Sequence, residues 1–188
     1  MSLRVIGGRA RGHRLKRVPG DTTRPIMDRV KESLFNIIGQ RVVGGRFLDL
    51  YAGTGSVGIE ALSRGARQVV FVEMDRTAAK TIRENLTATR LDAGATIRRA
   101  DVLTYLRNPP SEPFNYIYIA PPQYKNLWLD TLQALDNKPG WVPQRTTVIV
   151  QIDPVEQQPI SLTHLVEIDQ RRYGNTILWF FEGRRTED

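Results

Sequence analysis

The 188-residue chain has no cysteine, which excludes disulfides and thiolate metal centres. Its two histidines, His13 and His164, stand far apart in sequence, so no metal centre is expected. No apolar run approaches the roughly 20 residues needed to cross a bilayer. The opening Met1-Ser2-Leu3-Arg4 lacks the apolar core of a signal peptide. A cytoplasmic protein with no membrane partner is the simplest expectation. Acidic residues are scarce in one place. Residues 1–31 hold only Asp21 and Asp28 against nine Lys/Arg, while the remainder is balanced at 18 of each sign. The whole net charge of +7 therefore lies in the first sixth of the chain.

A basic arm on a neutral body suits a polyanion, because Lys/Arg contacts to phosphates release counterions. The arm is not composed like a disordered tail. Gly7-Gly8 and Gly12 have turn-like spacing, and Val5-Ile6, Leu15 and Val18 offer apolar anchors. A short β-hairpin is expected over residues 1–22, ahead of one domain over 23–188. Arg4, Arg9, Arg11, Arg14, Arg24 and Arg29 are the candidate phosphate contacts. Lys31 reads equally as part of a solvated helix face.

Downstream, strands and helices alternate. Met27, Val30, Leu34, Ile37 and Ile38 recur at helical spacing before Gly39. Strands are expected over 46–50, 68–73, 95–99, 115–119, 146–152, 165–169 and 176–181. Helices are expected over 57–64, 76–91 and 127–135. Such alternation predicts an α/β, Rossmann-like fold: a seven-stranded, mostly parallel sheet with helices on both faces. The closing strand pair suggests an antiparallel edge.

Gly53, Gly55 and Gly58 form G-x-G-x-x-G between a strand and a helix, a turn that lets a ligand press on the backbone. Glu73 closes the next strand 20 residues after Gly53, where a carboxylate can accept from ribose hydroxyls. NAD-dependent dehydrogenases share this pattern. Three features favour S-adenosylmethionine. Asp49, just before the loop, would attract a methionine ammonium and repel a pyrophosphate. Asp101 follows a third strand end, within reach of an adenine amine. A Pro-Pro segment follows the fourth strand, where methyltransferases of amino groups keep their catalytic loop. The cofactor set expected is Asp49, Tyr51, Gly53, Thr54, Gly55, Glu73, Met74, Asp101 and Val102. Helix capping by Asp49 and Asp101 is the plainer alternative.

Several segments together resemble the RsmD family, the bacterial 16S rRNA guanine-N2 methyltransferases. Arg4-Val5-Ile6-Gly7-Gly8 with Arg11-Gly12 is similar to that family's N-terminal hairpin. The stretch from Arg24-Pro25-Ile26-Met27 to Ser33-Leu34-Phe35 is the most specific match. Asp49 to Gly58 with Glu60 to Ala66, and Tyr173-Gly174-Asn175-Thr176, extend it over nearly the whole chain. The resemblance implies a class I S-adenosylmethionine-dependent methyltransferase acting on a guanine exocyclic amine of 16S rRNA, in an assembled or partly assembled small subunit.

The catalytic loop departs from that family. Members carry an acidic or amide residue, two prolines and an aromatic in succession. Here the loop reads Ala120-Pro121-Pro122-Gln123-Tyr124, with no polar side chain at the first position and the aromatic one place late. Gln123 is the candidate substitute acceptor for the amine hydrogens, and Tyr124 the candidate stacking partner for a flipped base. Two other readings stay open: an adenine-N6 DNA methyltransferase, and an RNA-binding assembly factor that keeps the pocket with an impaired loop.

Overall fold

The computed structural model describes residues 3–20 and 25–185. Seven strands form one sheet: β1 (Arg46–Leu50), β2 (Gln68–Val72), β3 (Ala95–Arg98), β4 (Tyr116–Ile119), β5 (Thr147–Ile152), β6 (Leu165–Tyr173) and β7 (Thr176–Gly183). Their order is β3-β2-β1-β4-β5-β7-β6. The first five strands are parallel, and β7 runs antiparallel between β5 and β6. The α-helices among the described residues are α1 (Asp28–Ile38), α2 (Ser56–Ser63), α3 (Arg76–Thr89), α4 (Val102–Tyr105) and α5 (Leu127–Asp136), with short 3-10 turns between elements.

The strands are apolar on both sides because both sides are covered. Phe47, Val69, Phe71, Tyr116, Tyr118 and Ile149 pack with Leu34, Val57 and Ile82 of α1, α2 and α3. Leu48, Leu50, Val70, Ile117, Ile119, Val148 and Val150 pack with Trp128, Leu132 and Leu135 of α5. The expected seven-stranded, mostly parallel sheet with helices on both faces is the observed architecture. β1 lies between β2 and β4, so the chain reverses its direction of travel across the sheet there. Crevices for ligands open at the carboxyl ends of such a reversal.

The N-terminal hairpin forms, but not as two strands. Among the described residues it has a single antiparallel bridge, Arg4 to Arg14. The Val5 N–H donates to the His13 carbonyl at 2.9 Å, and Leu15 N–H to the Leu3 carbonyl at 2.8 Å. Within the arm, Gly12 N–H also donates to the Val5 carbonyl at 2.9 Å, and Arg11 and His13 N–H to the Gly8 and Ala10 carbonyls at 3.2 Å, while other backbone groups bond to the domain. Ile6 and Gly7 N–H groups donate to Glu60 at 2.9 and 2.8 Å, and Ala10 N–H to Ser63 Oγ at 2.9 Å. Leu3, Val5, Ala10 and Leu15 are buried in the same cluster as α1 to α3. The arm is thus laid along α2 and fastened into the core.

Element ends differ by a few residues from the periodicity. The last turn of α3 stops at Thr89, because Arg90 takes a left-handed φ of 56°. β6 continues through Arg171 and Arg172 up to the two-residue turn at Gly174, past a bulge between Glu167 and Asp169. The four-residue helix α4 was not legible, being too short to show a period.

Candidate active site

Asp49 is the fourth residue of β1 and only 2% exposed. Its Oδ2 accepts from the Gly58 N–H at 3.0 Å, near the start of α2. Burial pushes its pKa up to about 8, against the Gly58 hydrogen bond, and the Glu73 charge adds to the rise. No cation of the chain pairs with it among the described residues. An ammonium group placed there would supply the missing charge, so the carboxyl fits the methionine end of S-adenosylmethionine.

The loop itself is built for close approach. Gly53 has φ 58°, and a Cβ added there would meet nothing within 4 Å, so its Cα faces open space. Gly58 serves packing: a Cβ there would lie 2.3 Å from Phe71 Cε1. Glu73 braces the loop from β2. Its Oε2 accepts from Gly53 N–H and its Oε1 from Asp75 N–H, both at 2.9 Å. Each oxygen retains a lone pair for a hydroxyl donor. Beside it Met74 is 66% exposed, an apolar surface suited to a flat base. Tyr51 adopts a left-handed φ of 60° and its hydroxyl shares a hydrogen bond with Thr131 at 2.7 Å. Thr54 Oγ1 accepts from Ser56 N–H at 3.3 Å. Asp101 caps α4 through Thr104 N–H at 2.8 Å and is exposed, with its Oδ2 open. Val102 is buried beneath it. Capping and cofactor contact are therefore compatible at both Asp49 and Asp101.

Residues 120–124 leave β4 next to this loop, since Leu50 of β1 pairs with Ile119 of β4. Ala120 and Pro121 are half-buried, and Pro122, Gln123 and Tyr124 are exposed. Gln123 has no hydrogen-bond partner among the described residues. Tyr124 has φ 64° and Asn126 φ 54°, two left-handed non-glycine residues in a three-residue stretch. Such conformations cost of order 1–3 kcal/mol and persist where surroundings fix them. Here Glu156 and Asp153, beyond β5, do the fixing. Tyr124 N–H donates to Glu156 Oε1 at 2.8 Å, and its hydroxyl to Asp153 Oδ2 at 3.4 Å. The Asp153 charge raises the Tyr124 pKa. Asp153 and Glu156 cap each other's turn reciprocally, so the two loops form one rim. The spacing Asp153-x-x-Glu156 carried this capping signal in the sequence.

The basic residues divide. Arg9, Arg11, Arg14 and Arg29 are exposed, with no side-chain partner among the described residues. Arg4 pairs with Asp28 at 2.9 Å on the surface. Arg24 lies outside the described residues. Lys31 is not a surface cation at all. It is fully buried, donating to the Arg4 carbonyl at 2.6 Å and Ser56 Oγ at 2.9 Å, beside Glu60 at 3.4 Å. Burial lowers its pKa against the pull of Glu60. Arg171 and Arg172 join the rim from the β6–β7 hairpin, whose turn lies just past the Ile152–Ile177 pair.

Known proteins carry the same chain plan. The model of the family described as conserved hypothetical protein 95 matches residues 3–182. The Bacillus subtilis protein YlbH is 36% identical over 184 residues, covering 97% of this chain and 100% of its own. Ribosomal RNA small subunit methyltransferase D of Escherichia coli is 33% identical over 149 residues, 79% of this chain and 74% of that one. The solved structure of the Escherichia coli protein yhhF superposes with a TM-score of 0.85 at 27% identity, covering 97% of this chain and 98% of that one. The fold is the Rossmann-like fold of class I methyltransferases, and the chain belongs to the conserved hypothetical protein 95 family, the RsmD family that its motifs resemble.

Proposed function

We propose that this chain is a cytoplasmic enzyme that methylates the exocyclic N2 amine of a guanine in 16S rRNA, using S-adenosylmethionine, within an assembled or partly assembled small subunit. One observation carries the reading: a buried, cation-less carboxyl at Asp49 and a backbone-exposing Gly53 stand beside the strained loop at Ala120 to Tyr124. The small subunit methyltransferase D relatives support the substrate.

In this reading Asp49 holds the cofactor's ammonium, and Gly53, Thr54 and Gly55 lie along its chain. Tyr51 flanks that chain. Glu73 accepts from the ribose. Asp101 accepts from the adenine amine, with Met74 and Val102 lining the base. When bound, the cofactor would supply an electrophilic sulfonium methyl for the amine, and the proton displaced from the amine would pass to water. The loop residues Pro121 and Pro122 stiffen the platform, and Tyr124 stacks on the flipped guanine. Arg4, Arg9, Arg11, Arg14, Arg24 and Arg29 contact phosphates, joined by Arg171 and Arg172 from the opposite side of the rim. Most of the rate gain comes from holding the amine and the methyl in line. No metal takes part.

The experiment is transfer of labelled methyl to small subunits from a strain lacking this gene, beside duplex DNA, with the nucleoside identified by mass spectrometry. N2-methylguanosine at one site is expected. Transfer only to DNA would replace the substrate with adenine-bearing duplex. Cofactor binding without transfer to any nucleic acid would make the chain a non-catalytic assembly factor, with Ala120 as the reason.

A further inference from the structure

The amine of guanine is a poor nucleophile because its lone pair is delocalised into the ring. Acceptors on its two hydrogens help localise that pair. At the first position of the loop, Ala120 offers only backbone, so a side-chain acceptor has to come from elsewhere. Gln123 is exposed, past two prolines and without a hydrogen-bond partner among the described residues to orient its amide.

The sheet register supplies another amide. β4 and β5 are parallel neighbours, with Tyr118 opposite Ile149 and Ile119 opposite Val150. Continued one step past the end of β4, this register would set Ala120 opposite Gln151. Directly opposed residues of a parallel pair point to the same face, and Tyr118, Ile149 and Ala120 all pack on the α1 to α3 side. The gap left by the short Ala120 side chain therefore has the Gln151 side chain as its cross-strand neighbour. Gln151 is half-buried and its Oε1 accepts from the hydroxyl of Tyr118 beneath it. Tyr118 is itself buried. A carbonyl oxygen has two lone pairs, so Oε1 is held in place by one and still presents the other.

We propose that Gln151 is the side-chain acceptor for the substrate amine, standing across the strand boundary from the position Ala120 has vacated, with Tyr118 as its positioning residue. This rests on the reading of the chain as a guanine-N2 methyltransferase. An acceptor fixed before the reaction costs no reorganisation when charge develops on the amine. Tyr118 and the packing around it provide that fixing, which the exposed Gln123 lacks.

The test compares single-turnover methyl transfer to small subunits for the unaltered protein, Gln151→Ala, Tyr118→Phe, Gln123→Ala and the double variant Ala120→Asn/Gln151→Ala. Binding of S-adenosylhomocysteine by calorimetry and melting temperature are read in parallel. Loss of one preorganised hydrogen-bonding group typically slows catalysis about 10²–10³-fold, and Gln151→Ala is expected in that range with cofactor affinity retained. Tyr118→Phe is expected to slow the reaction less. Ala120→Asn in the Gln151→Ala background is expected to recover at least about tenfold of the lost rate. A merely structural Gln151 would lower the melting temperature and show no such rescue, which would overturn the proposal. So would a Gln151→Ala rate close to that of the unaltered protein, or a loss seen with Gln123→Ala alone. Absence of transfer by the unaltered protein would instead overturn the functional reading, and this inference with it.

Discussion

Lys31 and Glu60 are both fully buried and lie 3.4 Å apart at the seam between the N-terminal arm and the domain. Glu60 is the more heavily engaged partner. It accepts from Ile6 N–H, Gly7 N–H and Arg64 Nε besides facing Lys31. Truncating one partner of such a pair typically costs about 3–5 kcal/mol, because the other charge is left buried and uncompensated. Glu60→Ala is expected to lose an amount of that order in urea denaturation. It should also make Leu3 to Leu15 amides exchange with solvent earlier than the rest of the domain. The double change to Met at both positions should recover most of the stability.

Asp49 ties pH to stability. Its carboxyl binds a proton more tightly folded than unfolded, because burial raises its pKa to about 8. Its contribution is therefore complete below the ordinary carboxylate range and declines as pH rises towards about 8. The cofactor-free protein should lose stability across that window by on the order of a few kcal/mol. Asp49→Asn keeps an oxygen for Gly58 N–H and should flatten that slope. Denaturation midpoints at pH 5 to 9 decide it; parallel slopes in the two proteins would refute the assignment.

The same carboxyl should lose its proton when an ammonium arrives. Calorimetric titration of S-adenosylhomocysteine at pH 7, repeated in buffers of different ionisation enthalpy, should show net proton release. Asp49→Asn should abolish the release and weaken binding by at least about tenfold, since a charge-assisted bond contributes roughly 1.5–3 kcal/mol.

Two glycines of one motif should respond differently. At Gly58 an alanine Cβ meets Phe71 at 2.3 Å, so overpacking of about 1–3 kcal/mol or more is expected in stability. At Gly53 the space is open, and only the left-handed φ of 58° penalises alanine. That costs roughly 1–2 kcal/mol, and the new methyl stands where a ligand presses on the backbone. Gly53→Ala should thus lose cofactor affinity out of proportion to its melting temperature, and Gly58→Ala the reverse.

The exposed arginines of the arm should act through salt. Each phosphate contact removed lowers the slope of log affinity against log salt by about 0.7–0.9. Arg9→Ala, Arg11→Ala, Arg14→Ala and Arg29→Ala should each shift rRNA binding in this way with melting temperatures unchanged, because none has a side-chain partner to lose among the described residues. Arg4→Ala adds the loss of its exposed Asp28 pair, about 1 kcal/mol at most.

The sheet was legible because both faces of it are buried: apolar runs such as Val69 to Val72 and Ile117 to Ile119 admit one reading once glycine turns bound them. The positions of Asp49, Glu73 and Asp101 were legible for a similar reason, since strand ends follow from the runs. The arm misled in part. Its glycines and apolar anchors signal a hairpin, but Glu60 and Ser63, more than fifty residues away, take the backbone hydrogen bonds that a second strand would have taken. Lys31 hid its burial because helix α1 places it one turn from Asp28 on a face that α2 and the folded arm cover together. Gln151 was silent because a cross-strand neighbour is set by register, and register is a property of two strands together.

Asn85 of α3 joins two regions that are otherwise separate in sequence. Its amide accepts from Lys16 N–H at 2.7 Å, donates to the Lys16 carbonyl at 3.1 Å, and donates to the Thr54 carbonyl at 2.9 Å. One side chain thus holds both the basic arm and the glycine loop. On the proposed function these two regions share a hinge pin, and thermodynamic reciprocity governs whatever passes through it: if the cofactor tightens the grip on rRNA by some factor, rRNA tightens the grip on the cofactor by that same factor. Were that factor above one, losing either ligand first would loosen the hold on the other.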